Sequence, residues 1–547
     1  MSILTLALIA IPDASACGGF FCNNVEPIKQ EGEAVVFEVN PELDTTRMHV
    51  QVSYEGPPME FAWVVPVSGV PDLFVSNDAL FAQLERYTAP QFNMWWEYEG
   101  VCGYDLDASV DADGAGPPAP AVPENPSETV QVLAKERVGP YDTVVLQAED
   151  QESLISWLQD NHYAVPNQLG GVLAPYVADG HNFVALKLAN GEGTGDLVPL
   201  GLEYEGQVPA VPLNLTSVAA TPDMQMVVYV LGQARAVPTN YLHVELNELA
   251  IDWFDYGSNY LEVLSQAADE AGGHAFSTEY AGPTSTFENF FWQEGIEDVD
   301  FASASGPTEF LSLITSSGLQ PSTELLDFLR AHIPVPETLN ENAVYNNPGS
   351  YNLDTLLPDF DAASAAADLQ ESILAPLQEI DAMFERTTVI TRLGSTVSPA
   401  EMTVDPMFGF NEDLEATVSN LHQATLVLNC DDLGDDWNYS AMSRVLRLSD
   451  GTEVRIPSDE ILTRYGLTAS DYLGRMTIPA AIRIEQLGTD GQGELMYDGK
   501  AEVDAAIDRL NGESDDLEGK AACGCSSSGS SAGWLVLLAP LFFRARR

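Results

Sequence analysis

Glu33-Ala-Val-Val-Phe-Glu-Val39 and Met48-His-Val-Gln-Val-Ser-Tyr54 both alternate apolar and polar side chains. A period of two residues is typical of a β-strand that buries one face. A third run, Glu60-Phe-Ala-Trp-Val-Val-Pro-Val67, follows the second after a Gly-Pro-Pro turn. Three such runs separated by short turns predict a β-meander near the start of the chain.

The remaining elements follow from hydrophobic period and from capping and turn residues. Further strands are predicted over 128–133, 142–147, 182–188, 198–204 and 224–231, and less clearly over 242–246. Helices are predicted from a cap at Ser76/Asn77/Asp78 to Tyr87, and over 151–158, 258–271, 308–315, 323–332 and 362–384. A hairpin is predicted around Asp450-Gly451, which suits a type I′ turn. The predicted fold class is α+β, with a β-rich N-terminal half, a helical middle region and a small mixed C-terminal part.

Shifts in composition divide the chain into seven segments. They are a signal peptide (1–16), a β-rich N-terminal region (17–104), an acidic Pro/Gly-rich linker (105–128), an α+β region (129–283), a helical region (284–398), a mixed α/β C-terminal region (399–515) and a sorting tail with a short hydrophobic segment (516–547). The linker has no hydrophobic period, which is typical of a disordered or long-loop segment.

The chain is strongly acidic. It has 83 Asp and Glu against 22 Lys and Arg, for a formal net charge of −61. Nucleic-acid binding needs a basic surface, so this balance argues against that class, and anionic membranes would repel the body of the protein. Self-repulsion destabilises a compact state unless counter-ions screen it. We therefore expect a saline habitat or divalent cations at the surface, although a general solubility surface is the simpler alternative.

The C-terminal tail combines four features in order. They are a small cysteine motif, a Ser/Gly spacer, an apolar run and an arginine cluster, represented by Cys523, Cys525, Ala532–Phe543, Arg544, Arg546 and Arg547. The apolar run is too short for a spanning helix, which needs ~20 residues. Arginines resist translocation and would stay in the cytoplasm. Signals that are cut and exchanged for an anchor are built in this way.

The tail resembles the myxobacterial-type C-terminal sorting signal, which has the same motif, hydrophobic segment and arginine cluster. The resemblance implies recognition by a membrane-embedded sorting protease, cleavage near Cys523 or Cys525, and display on the outer surface. The alternative is a C-terminal membrane anchor that is never cut.

The N-terminus also predicts export. An apolar run from Ile3 to Ile11 precedes Ala14-Ser15-Ala16, an A-x-A cleavage site. No basic residue precedes Lys29, which is expected if translation begins a few codons upstream. Cys17 directly after the cleavage site leaves a lipoprotein open as the alternative to ordinary cleavage after Ala16.

The six cysteines fit an exported chain. Without the tail pair, four remain, and these allow three pairings: Cys17, Cys22, Cys102 and Cys430. We favour a short Cys17–Cys22 loop, which leaves Cys102–Cys430 as a long-range bond. Their spacing does not match a zinc site.

Two acidic clusters are candidate calcium sites, because Ca²⁺ prefers hard oxygen ligands. The first comprises Asp105, Asp107, Asp111 and Asp113, followed by Gly114. Its spacing departs from an EF-hand loop and it lacks the terminal bidentate Glu, so a solvated acidic linker is the alternative. The second comprises Asp431, Asp432, Asp435 and Asp436. No other cofactor is predicted.

Two groups of titratable residues are candidate functional sites. In His243-x-Glu245-x-x-Glu248, an extended backbone would place His243 and Glu245 on one face, where they could bind a metal or transfer protons. The second group lies around the Gly272-Gly273 break and could line a cleft: Asp269, Glu270, His274 and Glu279. The simpler interpretation of Gly-Gly is the C-terminal stop of a helix.

Other motifs carry less information. Trp95, Trp96 and Tyr98 form an aromatic cluster that could stack against a sugar, although core packing is the simpler interpretation. The sequence lacks G-x-S-x-G, HExxH, P-loop and GxGxxG motifs. Catalytic triads nevertheless assemble from distant positions, so these absences do not exclude an enzyme.

Several motifs together resemble the bacterial family known as domain of unknown function 2330. They are Ala16-Cys-Gly-Gly-Phe-Phe-Cys22, Phe61-Ala-Trp-Val-Val-Pro-Val67, Val138-Gly-Pro-Tyr-Asp142, Phe183-Val-Ala-Leu-Lys187, Arg235-Ala-Val-Pro-Thr-Asn-Tyr241 and Asp269-Glu-Ala-Gly-Gly273. The resemblance extends over roughly residues 16–400. It implies a secreted or surface location and supplies no reaction, substrate or catalytic residue.

The sequence therefore predicts an exported, surface-anchored protein that binds or scaffolds an extracellular ligand without catalysing a reaction. The alternative is a secreted hydrolase with a dispersed active site. A deep cleft lined by Arg235, His243, Glu270 or His274 would favour the enzyme, and a shallow acidic surface would favour binding.

Overall fold

The structure is a computed structural model. It describes residues 29–55, 62–100, 131–161, 163, 169–188, 198–218, 220–292, 295–336, 338–432 and 438–522. The predicted signal peptide (1–16), the whole of the predicted acidic linker (105–128) and the predicted sorting tail beyond Ala522 lie outside these residues.

The described residues form strands and helices in comparable amounts. The strands are β1 Lys29–Asn40, β2 Thr45–Glu55, β3 Ala62–Val67, β4 Asp72–Val75, β5 Gln91–Glu99, β6 Gln131–Val138, β7 Tyr141–Gln147, β8 Asn182–Leu188, β9 Leu200–Glu205, β10 Ala220–Gly232, β11 Arg235–Pro238, β12 Leu242–Leu246, β13 Ala275–Pro283, β14 Val389–Val397, β15 Phe408–Asn411, β16 Leu421–Asn429, β17 Arg444–Leu448, β18 Glu453–Ile456, β19 Ala481–Gln486 and β20 Glu494–Asp498.

The helices concentrate in the middle of the chain. They are α1 Asp78–Thr88, α2 Gln151–Asp160, α3 Leu169–Ala178, α4 Leu213–Thr216, α5 Tyr260–Glu270, α6 Pro307–Ser317, α7 Thr323–His332, α8 Glu341–Asn346, α9 Leu353–Leu356, α10 Ala362–Leu369, α11 Ala375–Arg386, α12 Asp459–Tyr465, α13 Ala469–Leu473 and α14 Lys500–Ala522. A π-helical turn over Gln370–Leu374 joins α10 to α11. This composition confirms the predicted α+β class and the strand-rich N-terminal half.

A ten-stranded mixed sheet organises the molecule, in the order β20-β19-β12-β13-β14-β10-β1-β2-β9-β4. Its central strand β1 pairs in parallel with β10 and antiparallel with β2. The pleat directs Val35 and Phe37 into the core on one face and Val36 into the core on the other. Helices α6, α7, α10 and α11 cover this second face, so both sides of β1 are buried.

The predicted meander is wrong in its third strand. β1 and β2 form the expected antiparallel pair, but β3 pairs with β8 in a separate four-stranded sheet, β3-β8-β7-β6. Trp63 and Val65 of β3 pack in the core beneath β1, whereas Val64 packs in the cluster beneath α2 and α3. The apolar run of β3 therefore connects two cores instead of extending one sheet.

Local capping explains two of the predicted helices. Asn77 is the N-cap of α1, and its side chain accepts a hydrogen bond from the Ala79 N–H at 2.8 Å. At the C-terminal end of α5, Gly272 and Gly273 have positive φ angles of 85° and 80°. The Gly273 N–H donates to the Ala268 carbonyl at 2.8 Å. The two glycines therefore end the helix as predicted.

The predicted hairpin forms between β17 and β18, with a different turn. A type I′ turn needs positive φ at two residues, yet only Gly451 has one here, at 87°. The Gly451 N–H donates to the Leu448 carbonyl at 3.0 Å, and the Asp450 side chain accepts from the Thr452 N–H at 2.8 Å. The longer turn carries Ser449, Asp450 and Thr452 towards the cavity described below.

A second four-stranded sheet joins distant parts of the chain, in the order β18-β17-β16-β5. β5 pairs in parallel with β16, from Gln91 opposite Leu421 to Glu99 opposite Asn429. α14 packs against β18, and the core between them includes Val454, Val503 and Leu510. Within the described part of the chain, no helix is both long and apolar enough to cross a membrane.

Candidate functional site

A cavity of about 540 Å³ lies where the ten-stranded sheet meets the β18-β17-β16-β5 sheet. One wall comes from β11, β12, β13 and β19. The opposite wall comes from β5, β16, the turn between β17 and β18, and the start of α14. The volume falls within the range of small-ligand sites, roughly 300–1,000 Å³.

Strand β12 presents two of the predicted residues to the cavity. His243 and Glu245 share one face of the strand, while Val244 between them is fully buried in the core. The side-chain alternation predicted for this segment is confirmed. Glu248, in the 3₁₀ turn that follows β12, also lines the cavity. The strand lies between β13 and β19, which hold it in place from both sides.

The hydrogen bonds of His243 define its tautomer. Its Nε2 accepts from the Thr278 backbone N–H at 3.3 Å and lies 3.1 Å from the Thr278 hydroxyl. Since Nε2 acts as an acceptor, the neutral ring carries its proton on Nδ1. Nδ1 is buried and has no hydrogen-bond partner among the described residues. The nearest carboxylate oxygen, Oε2 of Glu485 on the facing strand, is 3.9 Å away.

His243 is held in its neutral form. It is 8% exposed, and burial lowers its pKa to about 3, assisted by the positive charges of Arg235 and Arg483. At neutral pH the ring is therefore a hydrogen-bond donor through Nδ1 and is not an ion. Its other nitrogen is already occupied by Thr278.

Arg235 provides a second unpartnered donor. One Nη2–H donates to the Thr278 hydroxyl at 3.1 Å, which links Arg235 to the residue that binds His243. Its Nε is buried and has no partner among the described residues. Burial lowers the pKa of Arg235, and the negative charges of Glu485 and Glu415 oppose that shift. The guanidinium of Arg235 still stays charged at neutral pH, because arginine is not deprotonated in proteins.

Glu279 reaches the cavity from β13 and is fixed by a buried network. It is 4% exposed, accepts from the Tyr260 hydroxyl and pairs with Arg392 of β14. Arg392 also contacts Glu85 at 2.6 Å and the Tyr229 hydroxyl at 2.8 Å. Burial opposes the charge of Arg392, but these partners outweigh burial and raise its pKa.

The space for the Glu279 carboxylate depends on a glycine. A Cβ built on Gly394 of β14 would overlap Oε1 of Glu279. Gly394 pairs with Ser277, on the strand that carries Glu279. A glycine is therefore needed there because the carboxylate occupies the position that a side chain would take.

The opposite wall combines an aromatic pair with charged groups. The ring of His422 stacks on Phe92, with centroids 4.8 Å apart and planes 18° apart. Its Nδ1 lies 2.7 Å from Oε1 of Glu248, which belongs to the turn after β12 on the other side of the cavity. Asp450 and the Lys500–Asp504 pair, with a charge separation of 3.5 Å, complete this side.

The structure separates the second predicted group. Glu279 lines the cavity, but the other three residues do not. Glu270 accepts from the backbone N–H groups of Ala480 and Ala481 at 3.0 and 2.9 Å, so it positions the start of β19. Nε2 of His274 lies 2.6 Å from the Glu401 carbonyl. Asp269 also lies outside the cavity lining, so the four predicted residues do not line one cavity.

The predicted calcium ligands are not tested. Asp105, Asp107, Asp111 and Asp113 lie outside the described residues, as do Asp435 and Asp436 of the second cluster. Among the residues that the structure does describe, no group of three or more His, Cys, Asp or Glu could hold a metal ion.

The disulfide pairing also stays a prediction. Cys430 is buried and disulfide-bonded, but Cys17, Cys22, Cys102, Cys523 and Cys525 all lie outside the described residues. No disulfide therefore joins two described residues. The same holds for the processing residues Ala16, Arg544, Arg546 and Arg547, whose roles stay expectations.

The aromatic cluster on β5 is exposed, so the core interpretation is wrong. Trp95, Trp96 and Tyr98 are 60%, 56% and 52% exposed. Phe92, on the same strand, is buried in the cavity wall. β5 therefore runs from the core to the surface. Its aromatic residue near the start is buried, and those further along the strand are exposed.

Sequence reasoning missed several cavity residues. Glu485, His422 and Asp450 come from segments far from β12 along the chain, and no local motif marks them. Arg392 carries a weak signal, because it is a charged residue within the otherwise apolar and small run Val389-Ile-Thr-Arg-Leu-Gly394. A charge in a fully buried strand needs a partner, which points to a residue such as Glu279.

A family model described as an uncharacterised protein conserved in bacteria, domain of unknown function 2330, matches residues 11–293, or 283 of the 547 residues. The chain belongs to this family. The match ends well before residue 400, the limit suggested by the motifs. No curated protein and no solved structure matches the chain.

The cavity contains residues from both sides of the family boundary. Arg235, His243 and Glu279 lie within the part that matches domain of unknown function 2330. His422 and Glu485 come from the part beyond it. Each wall thus combines the two parts of the chain: β19 joins β11, β12 and β13 on one side, and β5 joins β16 and α14 on the other.

Proposed function

We propose that the protein is exported, held at the cell surface, and binds a small polar ligand in the cavity between the two sheets. The observation that carries the binding proposal is the pair of buried, unpartnered donors, Nδ1 of His243 and Nε of Arg235. A buried donor without a partner costs ~1–3 kcal/mol. A ligand that accepts both hydrogen bonds would recover this free energy on binding.

The state of His243 supports binding over acid–base catalysis. Its Nε2 lone pair already accepts hydrogen bonds from Thr278, and its pKa of about 3 disfavours protonation at neutral pH. Neither nitrogen can take a proton from a substrate under these conditions. Glu279 is likewise occupied by Arg392 and Tyr260.

Two observations favour the alternative of a secreted hydrolase. The cavity is lined by Arg235 and His243, two of the residues whose presence in a cleft would favour an enzyme. Glu248 lies 2.7 Å from Nδ1 of His422, the arrangement by which a carboxylate orients a catalytic base. A hydrolase would show turnover of ester, peptide or glycoside substrates by the full chain. His422→Gln would abolish that turnover, whereas a binding protein would show none in either form.

The proposed location is supported by the order of features at the two ends of the sequence. Intact-mass analysis of the protein recovered from its native cell surface tests it. We expect a mature species without residues 1–16 and without Arg544, Arg546 and Arg547. A surface species that retains Arg547 would replace sorting with an uncut anchor, and a full-length cytosolic chain would contradict export.

The binding proposal is tested by thermal denaturation of the full chain with a panel of small polar molecules. The panel contains neutral oligosaccharides, amino acids, diamines and dicarboxylates at equal concentration. A ligand at 100 times its Kd stabilises the folded state by about 2.7 kcal/mol. The shift should be lost in Arg235→Met and kept in the control Arg330→Met, which changes an exposed arginine of α7. If no panel member shifts the transition, the proposal fails.

A further inference from the structure

The polar groups on the wall formed by β11, β12, β13 and β19 specify which functional groups of a ligand they would bind. Nδ1 of His243 and Nε of Arg235 donate, while the Glu485 carboxylate, 3.9 Å from Nδ1, accepts. Hydroxyl groups both accept and donate hydrogen bonds, so a ligand with several hydroxyls can satisfy all three partners. An ammonium group could satisfy only the carboxylate, and a carboxylate could satisfy only the two donors.

The charge of the cavity disfavours an anionic ligand. Its described lining contains six carboxylates, Glu245, Glu248, Glu279, Glu485, Asp450 and Asp504. Only two side chains in that lining are permanently cationic, Arg235 and Lys500. Three of the carboxylates are paired with a cation, Glu279 with Arg392, Glu485 with Arg483 and Asp504 with Lys500. The excess negative charge therefore comes from Glu245, Glu248 and Asp450.

Glu245 shows the effect of this concentration of carboxylates. Desolvation by the cavity wall raises its pKa, and the negative charges of Glu485, Glu248 and Asp450 add to the rise against the opposing Arg483. An additional negative charge from a ligand would meet the same repulsion. An uncharged ligand with several hydroxyl groups avoids it.

Exposed aromatic side chains follow Phe92 along β5, on the same face of the strand and beyond the partly buried Met94. Successive side chains of a strand alternate between faces, so Phe92, Trp96 and Tyr98 lie on one face. Phe92 lines the cavity, whereas Trp96 and Tyr98 are more than half exposed. Phe92 and Trp96 are four residues apart, or about 13 Å along a strand. Exposed aromatic faces offer apolar contact area that a chain of sugar rings could cover.

We infer that the ligand is a neutral saccharide, with one sugar unit in the cavity and further units along Trp96 and Tyr98. This inference rests on the proposed function, since it uses the same cavity. The hydroxyls of the enclosed unit would bind Arg235, His243 and Glu485. The apolar faces of the outer units would contact the rings of Trp96 and Tyr98.

Isothermal titration calorimetry with the full chain tests the inference. The titrants are neutral mono-, di- and trisaccharides built from glucose, xylose or N-acetylglucosamine, with glycylglycine, putrescine and succinate as charged compounds of comparable size. Polysaccharides of the same sugars separate a free oligosaccharide from a surface polysaccharide as the source. We expect at least one neutral trisaccharide to bind and the charged compounds not to bind.

Variants assign the two parts of the site. Arg235→Met should weaken binding of both mono- and trisaccharide by about 10- to 100-fold, because it removes a hydrogen bond from a charged donor. Trp96→Ala should weaken the trisaccharide by about 10-fold and leave the monosaccharide unchanged. The matched controls Arg330→Met and Tyr465→Ala, at an exposed arginine and an exposed tyrosine elsewhere, should change neither affinity.

The outcomes distinguish the two proposals. Binding of glycylglycine, putrescine or succinate without binding of any neutral saccharide would overturn the inference and keep the cavity as a ligand site. Saccharide binding that Arg235→Met does not weaken would place the sugar elsewhere and overturn it as well. Heat from no compound would overturn both proposals. Unchanged circular dichroism and thermal transitions of the variants show that each comparison concerns folded protein.

Discussion

At the residue scale, the interior of the protein depends on a few buried charges. Arg392 is 1% exposed and lies between the carboxylates of Glu279 and Glu85. The chain has few basic residues, and this guanidinium neutralises the buried Glu279 carboxylate that lines the cavity. The sequence shows a charge in a buried strand, but it cannot show which of 83 acidic residues is its partner, because the pairing spans more than a hundred residues.

Removing Arg392 should leave Glu279 buried without a counter-charge. We expect Arg392→Met to lower the free energy of unfolding by about 3–5 kcal/mol, measured by urea denaturation. The double variant Arg392→Met with Glu279→Gln should recover much of that loss. As a control, Arg447→Met at the surface should change stability far less than Arg392→Met does. A double variant as unstable as Arg392→Met alone would contradict the pairing.

Two buried neutral histidines should make the protein sensitive to acid. Burial, with nearby arginines, lowers the pKa of both His243 and His49 to about 3. The unfolded chain binds these protons near pH ~6.5, so stability is complete above that pH and falls as the pH drops towards 3. Each histidine should contribute a loss of about 3 kcal/mol at pH 4.

The variant His243→Gln isolates one of these contributions. Between pH 7 and pH 4, it should lose about 3 kcal/mol less stability than the parent, measured by urea denaturation at each pH. Identical pH dependence in parent and His243→Gln would contradict a buried neutral His243.

At the scale of elements, the alternation of β1, β2 and β12 could be predicted because one residue period fixes which side chains share a face. The partner of β3 could not, since the same apolar run fits either of two sheets. The position of the turn between β17 and β18 could be predicted from Asp450-Gly451, but the type of turn could not. Its extra residues matter for the site, because they bring Asp450 to the cavity.

Glu279 of β13 packs closely against Gly394 of β14, and this contact predicts the effect of substituting the glycine. Gly394→Ala would place a methyl group on Oε1 of Glu279, displace the carboxylate and disturb the cavity lining. We expect a loss of about 1–3 kcal/mol in urea denaturation. Gly171→Ala in α3 has open space and should be neutral or stabilising by up to ~1 kcal/mol. Equal effects of the two changes would contradict the packing of Glu279.

The parallel pairing of β5 and β16 supports the predicted Cys102–Cys430 bond. Glu99 lies opposite Asn429, so the chain leaves β5 beside the residue that precedes Cys430. Peptide mapping of the unreduced protein should recover a fragment that joins Cys102 to Cys430. Its removal by Cys102→Ser should cost about 2–5 kcal/mol. A fragment that joins Cys430 to Cys17 or Cys22 would contradict the pairing.

At the scale of the whole molecule, the net charge of −61 should dominate the response to salt. Screening reduces repulsion between surface carboxylates, with a Debye length of about 10 Å at 0.1 M and about 3 Å at 1 M. We expect Tm to rise continuously from low salt to 1 M sodium chloride. A further rise with millimolar Ca²⁺ at fixed ionic strength would indicate specific cation binding. A Tm that falls with added salt would contradict this view of the charge.

The cavity itself is a property of the whole molecule. Its walls come from residues as far apart as Phe92, His243 and Glu485, and only the folded topology places them together. The sequence predicted His243, Glu245, Glu248 and Glu279 as candidates, because few titratable residues lie near the ends of predicted strands and helices. It could not separate these from Glu270 and His274, whose hydrogen bonds hold the backbone of other segments.

The most direct test of the binding site is nitrogen-15 NMR of the histidine side chains in the full chain at pH 7, titrated with the saccharide panel. His243, assigned through His243→Gln, should give a neutral ring with its proton on Nδ1. That Nδ1 signal should move until the ligand saturates the protein. A His243 ring protonated on Nε2, or a signal that stays fixed while a saccharide binds, would contradict the proposed site.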